Sequence, residues 1–313
     1  MNGVTVIGNV NVDVLVRAVE VPPPGHERIV DAIEMRVGGA AANAALAMAA
    51  LGSTPRLIGS VGDDALGRFV LGSLGRRGLD ADVRVDAAGP TGVSLAFEGA
   101  ERERSFLIAL GHLAKMDVNA IPDDAAAAAS LLVCGYFTLP ALRREPTRQL
   151  LRAARSSGAT TFFDPGWDPD GWTTSSRSEV RELLPWVDVF LPNELEAAAL
   201  AGVDDPIEAA DELRGISGGW VVVKRGPSGC IAAGPDGVRS EVVAPAVPVV
   251  DTTGAGDTFD AALIVALAEG RAFEAALTFA TRVASAVVAR ASEDRYPSRA
   301  EVDALAATAD PGA

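Results

Sequence analysis

Residues 249–263 read VVDTTGAGDTFDAAL. Gly254, Gly256, Asp251 and Asp257 lie in a run of small residues, and an apolar pattern with helical spacing follows at once: Phe259, Ala262, Leu263, Ala266 and Leu267. Thr252 and Thr253 are residue types that cap a helix, here one starting near Gly256. The two glycines let the backbone approach a ligand with no Cβ in the way. A helix that begins there turns the N–H groups of Gly254, Ala255 and Gly256, and its dipole, toward an anion. Asp257 then stands beside bound negative charge, placed to take a proton from a hydroxyl that attacks the anion. An ordinary Asp ionises at about 3.9, so it is a weak base for an alcohol and takes the proton late, as the new P–O bond forms.

Outward from this stretch, short apolar runs bounded by turn residues predict buried strands at 4–8, 56–59, 130–134, 160–164, 187–191, 220–224 and 230–233. Ala-, Leu- and Arg-rich segments predict helices at 40–51, 64–78, 141–157, 194–202, 205–216, 257–269 and 272–291. Strand alternating with helix predicts a mostly parallel central sheet with helices on both faces. Two stretches break the rhythm. Residues 12–37 carry a triple proline and a period-two alternation near Arg28–Ile33, and residues 92–110 read as a hairpin turning near Gly99. Together they predict a small antiparallel sheet inserted into one domain spanning 1–313. Its exposed edge would cover a site or pair with another subunit.

The chain has 313 residues, 49% of them apolar, enough for a full core. No run of about 18 apolar residues predicts a membrane span. The start, MNGVTVIGNV, lacks the basic region and cleavage site of a secretory signal, so a cytoplasmic location is expected. A net charge of −15 without any Lys/Arg-rich run argues against nucleic acid or anionic membrane as partners. An anionic ligand would need a local positive site. Cys134 and Cys230, far apart in apolar strand-like settings, read as small buried hydrophobes rather than a disulfide or zinc ligands. No G-x-x-x-x-G-K-[ST] string occurs, and no G-x-G-x-x-G follows the first strand. The G-x-S-x-G match at 215–219 precedes a strand, with both histidines, His26 and His112, upstream of it. P-loop, dinucleotide and serine-hydrolase chemistry are therefore unsupported. His112, in LGHLAKM, reads as a turn residue, with a substrate contact as the alternative.

Further motifs stand in order along the chain: GNVNVD (8–13), GGAAANAALAMAALG (38–52), LIGSVGDDALG (57–67), LPNELE (191–196) and VVVKRGPSGC (221–230). Asn11 and Asp13 follow the first strand and offer acceptors and an amide to a polyol. Gly38 and Gly39 open a helix and expose backbone N–H groups, and Asn43 adds an amide one turn in. Asn193 and Glu196 have the spacing of a helix cap with an acidic first turn. Lys224, Gly226 and Gly229 lie in a strand–turn–strand.

With VVDTTGAGDTF, these motifs resemble the ribokinase-like (PfkB) carbohydrate kinases over nearly the whole chain. The resemblance implies a three-layer α/β sandwich with a β lid, and ATP-dependent phosphorylation of a sugar hydroxyl. It implies that Asn11, Asp13, Gly38, Gly39, Asn43, Asp251 and Asp257 hold the sugar, with Asp257 as base and Gly254, Ala255 and Gly256 as the anion hole. Asn193, Lys224, Gly226, Gly229 and Gly256 would bind ATP, Lys224 lending positive charge to the phosphates. Asn193 and Glu196 would organise Mg2+ through its waters. A homodimer through the lid sheet is also implied.

The pattern departs from the family in places. Ala40 follows the Gly-Gly pair where ribokinases and phosphosugar kinases carry Lys, which argues against ribose and more strongly against a phosphorylated sugar. GYF (135–137) stands where ribokinases place a substrate-binding Glu, so Tyr136 or Phe137 would stack on a sugar face or a base, or else belong to the core. In FFDPGWD (162–168) only Asp164 matches the family's D-x-N-x-R stretch. ARASEDRYPS (289–298) replaces the small, glycine-rich turn that helps hold a monovalent cation in many relatives, which argues against K+ as a cofactor. Arg104, on the lid, reads as a solvated side chain or a substrate contact. Two other readings stay open. One is a nucleoside acceptor, with Phe97, Phe106, Tyr136 and Phe137 as candidate walls for a base. The other is a non-catalytic sugar or nucleotide sensor, against which the intact Asp257 argues.

Overall fold

The computed structural model describes residues 3–16, 22–77, 79, 81–99, 104–290 and 295–309. Its strands are β1 (Val4–Ile7), β2 (Asn11–Val16), β3 (Glu34–Gly38), β4 (Arg56–Gly62), β5 (Ala81–Asp86), β6 (Val93–Glu98), β7 (Arg104–Ala109), β8 (Ser130–Val133), β9 (Thr160–Phe163), β10 (Val189–Phe190), β11 (Trp220–Lys224), β12 (Cys230–Ala233) and β13 (Arg239–Val242). Its α-helices are α1 (Ala40–Ala50), α2 (Ala65–Arg76), α3 (Glu145–Ser156), α4 (Thr174–Leu183), α5 (Glu194–Ala201), α6 (Pro206–Ser217), α7 (Ala255–Ala268), α8 (Phe273–Val288) and α9 (Arg299–Ala309).

The central sheet runs β13-β12-β11-β10-β9-β8-β1-β4-β5. From β11 to β5 every neighbour is parallel, while β11–β12 and β12–β13 are antiparallel. Short turns join β11, β12 and β13, and a short turn permits only an antiparallel return. The parallel neighbours need helical crossovers. Those helices cover both faces, so the parallel strands are apolar on both sides. Val4 and Val6 of β1 and Leu132 of β8 pack into the layer of α1, α2, α7 and α8. Ile7, Leu131 and Val133 pack the other way, against α3, α4, α5 and α6. Ala41, Ala42, Ala44, Ala45 and Ala47 of α1 are all buried, and α1 lies against α7. Helices faced with alanine approach closely because no side chain holds them apart.

A second sheet, ordered β3-β2-β6-β7, forms the lid. It is not purely antiparallel as expected. β2–β3 and β6–β7 are antiparallel, but the central pair β2–β6 is parallel. The chain leaves β2 and β3, builds α1, β4, α2 and β5 of the main body, and only then returns as β6. A return of that length can run parallel. The alternation near Arg28–Ile33 is irregular backbone, and the strand starts at Glu34. Ile29 of that alternation is 98% exposed, so the pattern there has no buried face to stabilise it. The hairpin around Gly99 is present as β6 and β7, its residues 100–103 lying outside those described. Among the described residues no helix is long and apolar enough to cross a membrane. Cys134 and Cys230 are buried free thiols.

Candidate active site

A pocket opens between the lid and the starts of α1 and α7. The main body contributes Asn9, Gly39, Asn43, Thr253, Gly254 and Asp257, and the lid contributes Asn11 and Asp13 of β2 with Val93, Ser94, Phe106, Ile108 and Ala109. The structure thus brings together most of the side chains expected to hold an acceptor.

The turn into α7 shapes one wall of the pocket. Gly254 is the N-cap, with φ 72°, a left-handed conformation that favours glycine. Neither threonine caps the helix by its side chain, contrary to the expectation for Thr252 and Thr253, and the helix starts at Ala255. The backbone carbonyl of Thr252 accepts from Ala255 N–H at 3.3 Å. No side chain caps the N–H groups of the first turn, and Gly254 and Asp257 of that turn line the pocket. Asp257 is half-buried, and its Oδ2 accepts from Asn43 Nδ2 at 2.8 Å. Burial, reinforced by the negative charge of Asp164, pushes its carboxyl up to about 6.

On β2 of the lid, Asn11 Nδ2 donates to Asp13 Oδ1 at 3.1 Å. Gly38 pairs with Asn11 across β2–β3 and lies diagonal to Asp13, and a Cβ there would lie 2.1 Å from Asp13 Oδ1. Gly38 therefore makes room for a carboxylate; Gly39, at φ 94°, is the one that reaches the pocket. The first helical N–H, that of Ala40, goes to Asn9 Oδ1 at 3.0 Å rather than to a ligand.

Beneath α7 lies a buried charge cluster. Lys224 Nζ donates to Asp164 Oδ2 at 2.8 Å and to both oxygens of Asp260 at 3.1 Å. Burial disfavours the charge on Asp164, but Lys224 outweighs it and holds that carboxyl below the usual range. Burial raises Asp260, which lies beside Asp164. Lys224 is thus no free ammonium waiting for phosphate, as the sequence implied. Most of its charge is spent on two aspartates, although it lies under the anion turn, 3.5 Å from where a Cβ on Gly256 would be. Asn193 and Glu196 form a reciprocal capping box at the start of α5: Asn193 Oδ1 accepts from Glu196 N–H and Glu196 Oε2 from Asn193 N–H, both at 2.9 Å. Burial and the charge of Asp164 push Glu196 up to about 8. Gly226 and Gly229 shape the turn between β11 and β12, and a Cβ on Gly229 would collide with the Val242 carbonyl.

One further expectation is corrected, and the open alternatives are resolved. Asp251 does not reach the pocket: it is fully buried, with Oδ1 accepting from Thr253 N–H at 2.9 Å and Oδ2 from Arg36 Nη1 at 2.6 Å. Tyr136 and Phe137 belong to the core, the Tyr136 hydroxyl donating to Glu179 at 2.5 Å. Of the aromatic residues considered as walls for a base, Phe106 lines the pocket. His112 is buried, its ring nitrogens bonded to Gly92 N–H and the Ser60 carbonyl. The side chain of Arg104 lies outside the described residues.

Sequence reasoning missed Asn9, Arg36, Asp260, Arg295 and Tyr296. Arg36 and Arg295 are both buried, and Arg295 is 3.6 Å from Asp251. A charged residue at an inward position of a strand that ends in Gly-Gly was the available signal for Arg36. For Arg295 and Tyr296 it was the departure already visible in ARASEDRYPS.

Comparison with known proteins agrees with this geometry. A family model described as pfkB family carbohydrate kinase matches residues 1–298. The ribokinase of Bacillus subtilis is 30% identical over 311 residues, 97% of this chain and 99% of that one. The fructokinase of Klebsiella pneumoniae is 33% identical over 279 residues, 86% of this chain and 85% of that one. The structure of Arabidopsis thaliana ribokinase complexed with ribose and ATP superposes with a TM-score of 0.81 at 27% identity, covering 97% of this chain and 98% of that one. An acid beside an uncapped helix start, beneath a β lid, is here carried by a chain that belongs to the pfkB family of carbohydrate kinases.

Proposed function

We propose that this kinase transfers the γ-phosphoryl group of ATP to a hydroxyl of a free sugar, with Asp257 as general base. One observation carries the reading: Asp257 and the uncapped first turn of α7 open into the same pocket as Asn11, Asp13 and Asn43. The acceptor lies against Asn11, Asp13 and Gly39, under Phe106 and Ile108 of the lid. Its attacking hydroxyl, a primary one, points at Asp257. With Oδ2 held by Asn43, Oδ1 is left to receive the proton. The N–H groups of Gly254, Ala255 and Gly256 stabilise the charge on the transferring phosphoryl. ATP lies along α7, α5 and the Gly226–Gly229 turn.

Asn193 and Glu196 fit a hydrated Mg2+. Their capping box uses Asn193 Oδ1 and Glu196 Oε2, so Glu196 Oε1 would take the waters of a hard cation, whose charge would draw the raised carboxyl back down and ionise it. Among the described residues no three or more His, Cys, Asp or Glu side chains could hold a metal directly, so binding through water and phosphate oxygens is the mode these residues allow. When bound, the ion neutralises phosphate charge as the leaving group departs.

Similarity to a ribokinase and a fructokinase supports an unphosphorylated monosaccharide as acceptor. A nucleoside takes second place, because among the described residues Phe106 is the one aromatic wall of the pocket. Phe106, Leu107 and Ile108 leave an exposed apolar stretch on the outer lid strand, which supports pairing of lids in a homodimer. The test is ADP release from ATP and Mg2+ against ribose, fructose, glucose, keto-deoxy sugar acids, sugar phosphates and nucleosides. Release with one neutral sugar, abolished in Asp257→Asn, is the expected result. Tight sugar binding with no release for any acceptor would replace this reading with the sensor.

A further inference from the structure

Arg295 is the largest fully buried side chain among the described residues, 2% exposed. Taking a guanidinium out of water is costly unless every N–H finds an oxygen, so a buried Arg marks a specified place. Its partners are all oxygens. Nη1 donates to the Thr253 carbonyl at 2.6 Å, and Nη2 donates to Asn43 Oδ1 at 3.1 Å and to the Tyr296 hydroxyl at 3.0 Å. Asp251 Oδ2 lies 3.6 Å from Nη1. A main-chain carbonyl and a carboxylate about Nη1, with an amide oxygen and a phenol about Nη2, gather at one place the kind of oxygen donors a hard monovalent cation needs. Here a tethered guanidinium fills that place, so these residues do not fit a bound K+.

Two of the four partners lead directly to the chemistry. Thr253 immediately precedes Gly254, the left-handed residue that starts the anion turn, and a Cβ on Gly254 would lie 2.7 Å from Arg295 Nη2. The guanidinium therefore sits behind the turn and adds positive potential to the phosphate site without touching the pocket. Asn43 is the second link. Its Oδ1 accepts from both Arg295 and the Tyr296 hydroxyl, the latter at 2.9 Å. That pairing fixes the amide so that Nδ2 faces Asp257. A flipped amide would set an oxygen against the carboxylate.

We propose that Arg295 is a built-in cation that positions the anion turn and, through Asn43, the general base, making phosphoryl transfer by this chain independent of added monovalent cations. The inference rests on the kinase reading above. Arg295 is a positioning residue, because it reaches neither the acceptor nor the phosphates.

The test uses the intact protein. ADP release by the wild type is measured at constant ionic strength in K+, Na+ and choline chloride, and then in Arg295→Ala and Arg295→Lys with and without millimolar guanidinium chloride. Equal wild-type rates in the three salts are expected. Arg295→Ala should lose about 10²-fold in kcat, the scale of one lost transition-state donor. Its KM values for ATP and acceptor should stay within about threefold, with part of the rate returned by guanidinium or K+. Arg295→Lys, which keeps a cation near the same oxygens, should keep more activity than Arg295→Ala. A wild-type rate that rises several-fold from choline to K+ overturns the proposal. So does an Arg295→Ala enzyme that no cation restores, if Arg295→Lys is equally slow. No ADP release by the wild type in any salt overturns the kinase reading itself, a result separate from either of these.

Discussion

Asp257 works because of what surrounds it. Asn43 ties one oxygen, and burial with the nearby charge of Asp164 lifts its carboxyl to about 6. Asp257→Asn keeps the shape and removes the proton acceptor. It should lower kcat by about 10²-fold or more while ATP affinity, measured by calorimetry, changes little. The raised pKa also sets a pH dependence. As the proposed base, Asp257 would accept a proton only when ionised, so kcat should fall as pH drops through about 6, the value lifted by burial and Asp164. An acid limb near pH 4 in the kcat profile would show an ordinary, solvated carboxylate instead. Lys224 makes a different kind of contribution. Lys224→Met would leave Asp164 and Asp260 buried against each other without their cation. Breaking a buried ion pair from one side costs about 3–5 kcal/mol. The expected readout is a large fall in Tm, with or without ATP. None of this cluster except Lys224 and Asp164 was singled out in the sequence, because Asp260 looks there like one more polar position on a helix.

Elements differ in how openly they announce themselves. Helix α7 and strands β1, β8, β9, β11 and β12 were readable because each carries a plain apolar period or run between turn residues. Strands β5 and β13 and helices α4 and α9 were not. β5 (ADVRVD) and β13 (RSEV) are the two edges of the central sheet, where water replaces one neighbour and the apolar signal thins. Helix α4 (TSSRSEVREL) is polar on most of its surface and buries only Ser176, Glu179, Val180 and Leu183. The turn into α7 belongs to the legible part, since its glycines state the backbone they need. Gly254→Ala tests it. The substitution forces a Cβ into a left-handed position, at a cost of about 1 kcal/mol or more, and against Arg295. The expected outcome is a kcat loss larger than the loss in stability can explain, measured by thermal melts and turnover on the same preparation.

At the scale of the whole molecule, the site is divided between two bodies that the sequence separates widely. Asn11, Asp13 and Gly39 come from the first forty residues, while the phosphate turn and Arg295 come from the last sixty. The motifs for both halves were legible one by one. Their meeting point was not, because it depends on strand order and on the Arg295–Asn43–Asp257 chain of contacts, which no local pattern encodes. What joins the halves is the face between α1 and α7, built of alanine. Asn43 stands at one end of it and Ala47 lies one turn further along the same side. In the proposed transfer the thickness of that face would work as a gauge of how far the acceptor's oxygen stands from the phosphorus. Ala47→Val would thicken it by two methyl groups, an overpacking worth about 1–3 kcal/mol. Both substrates should then bind nearly as before while transfer between them slows, so a methyl-sized shim far from either ligand should be read in kcat alone.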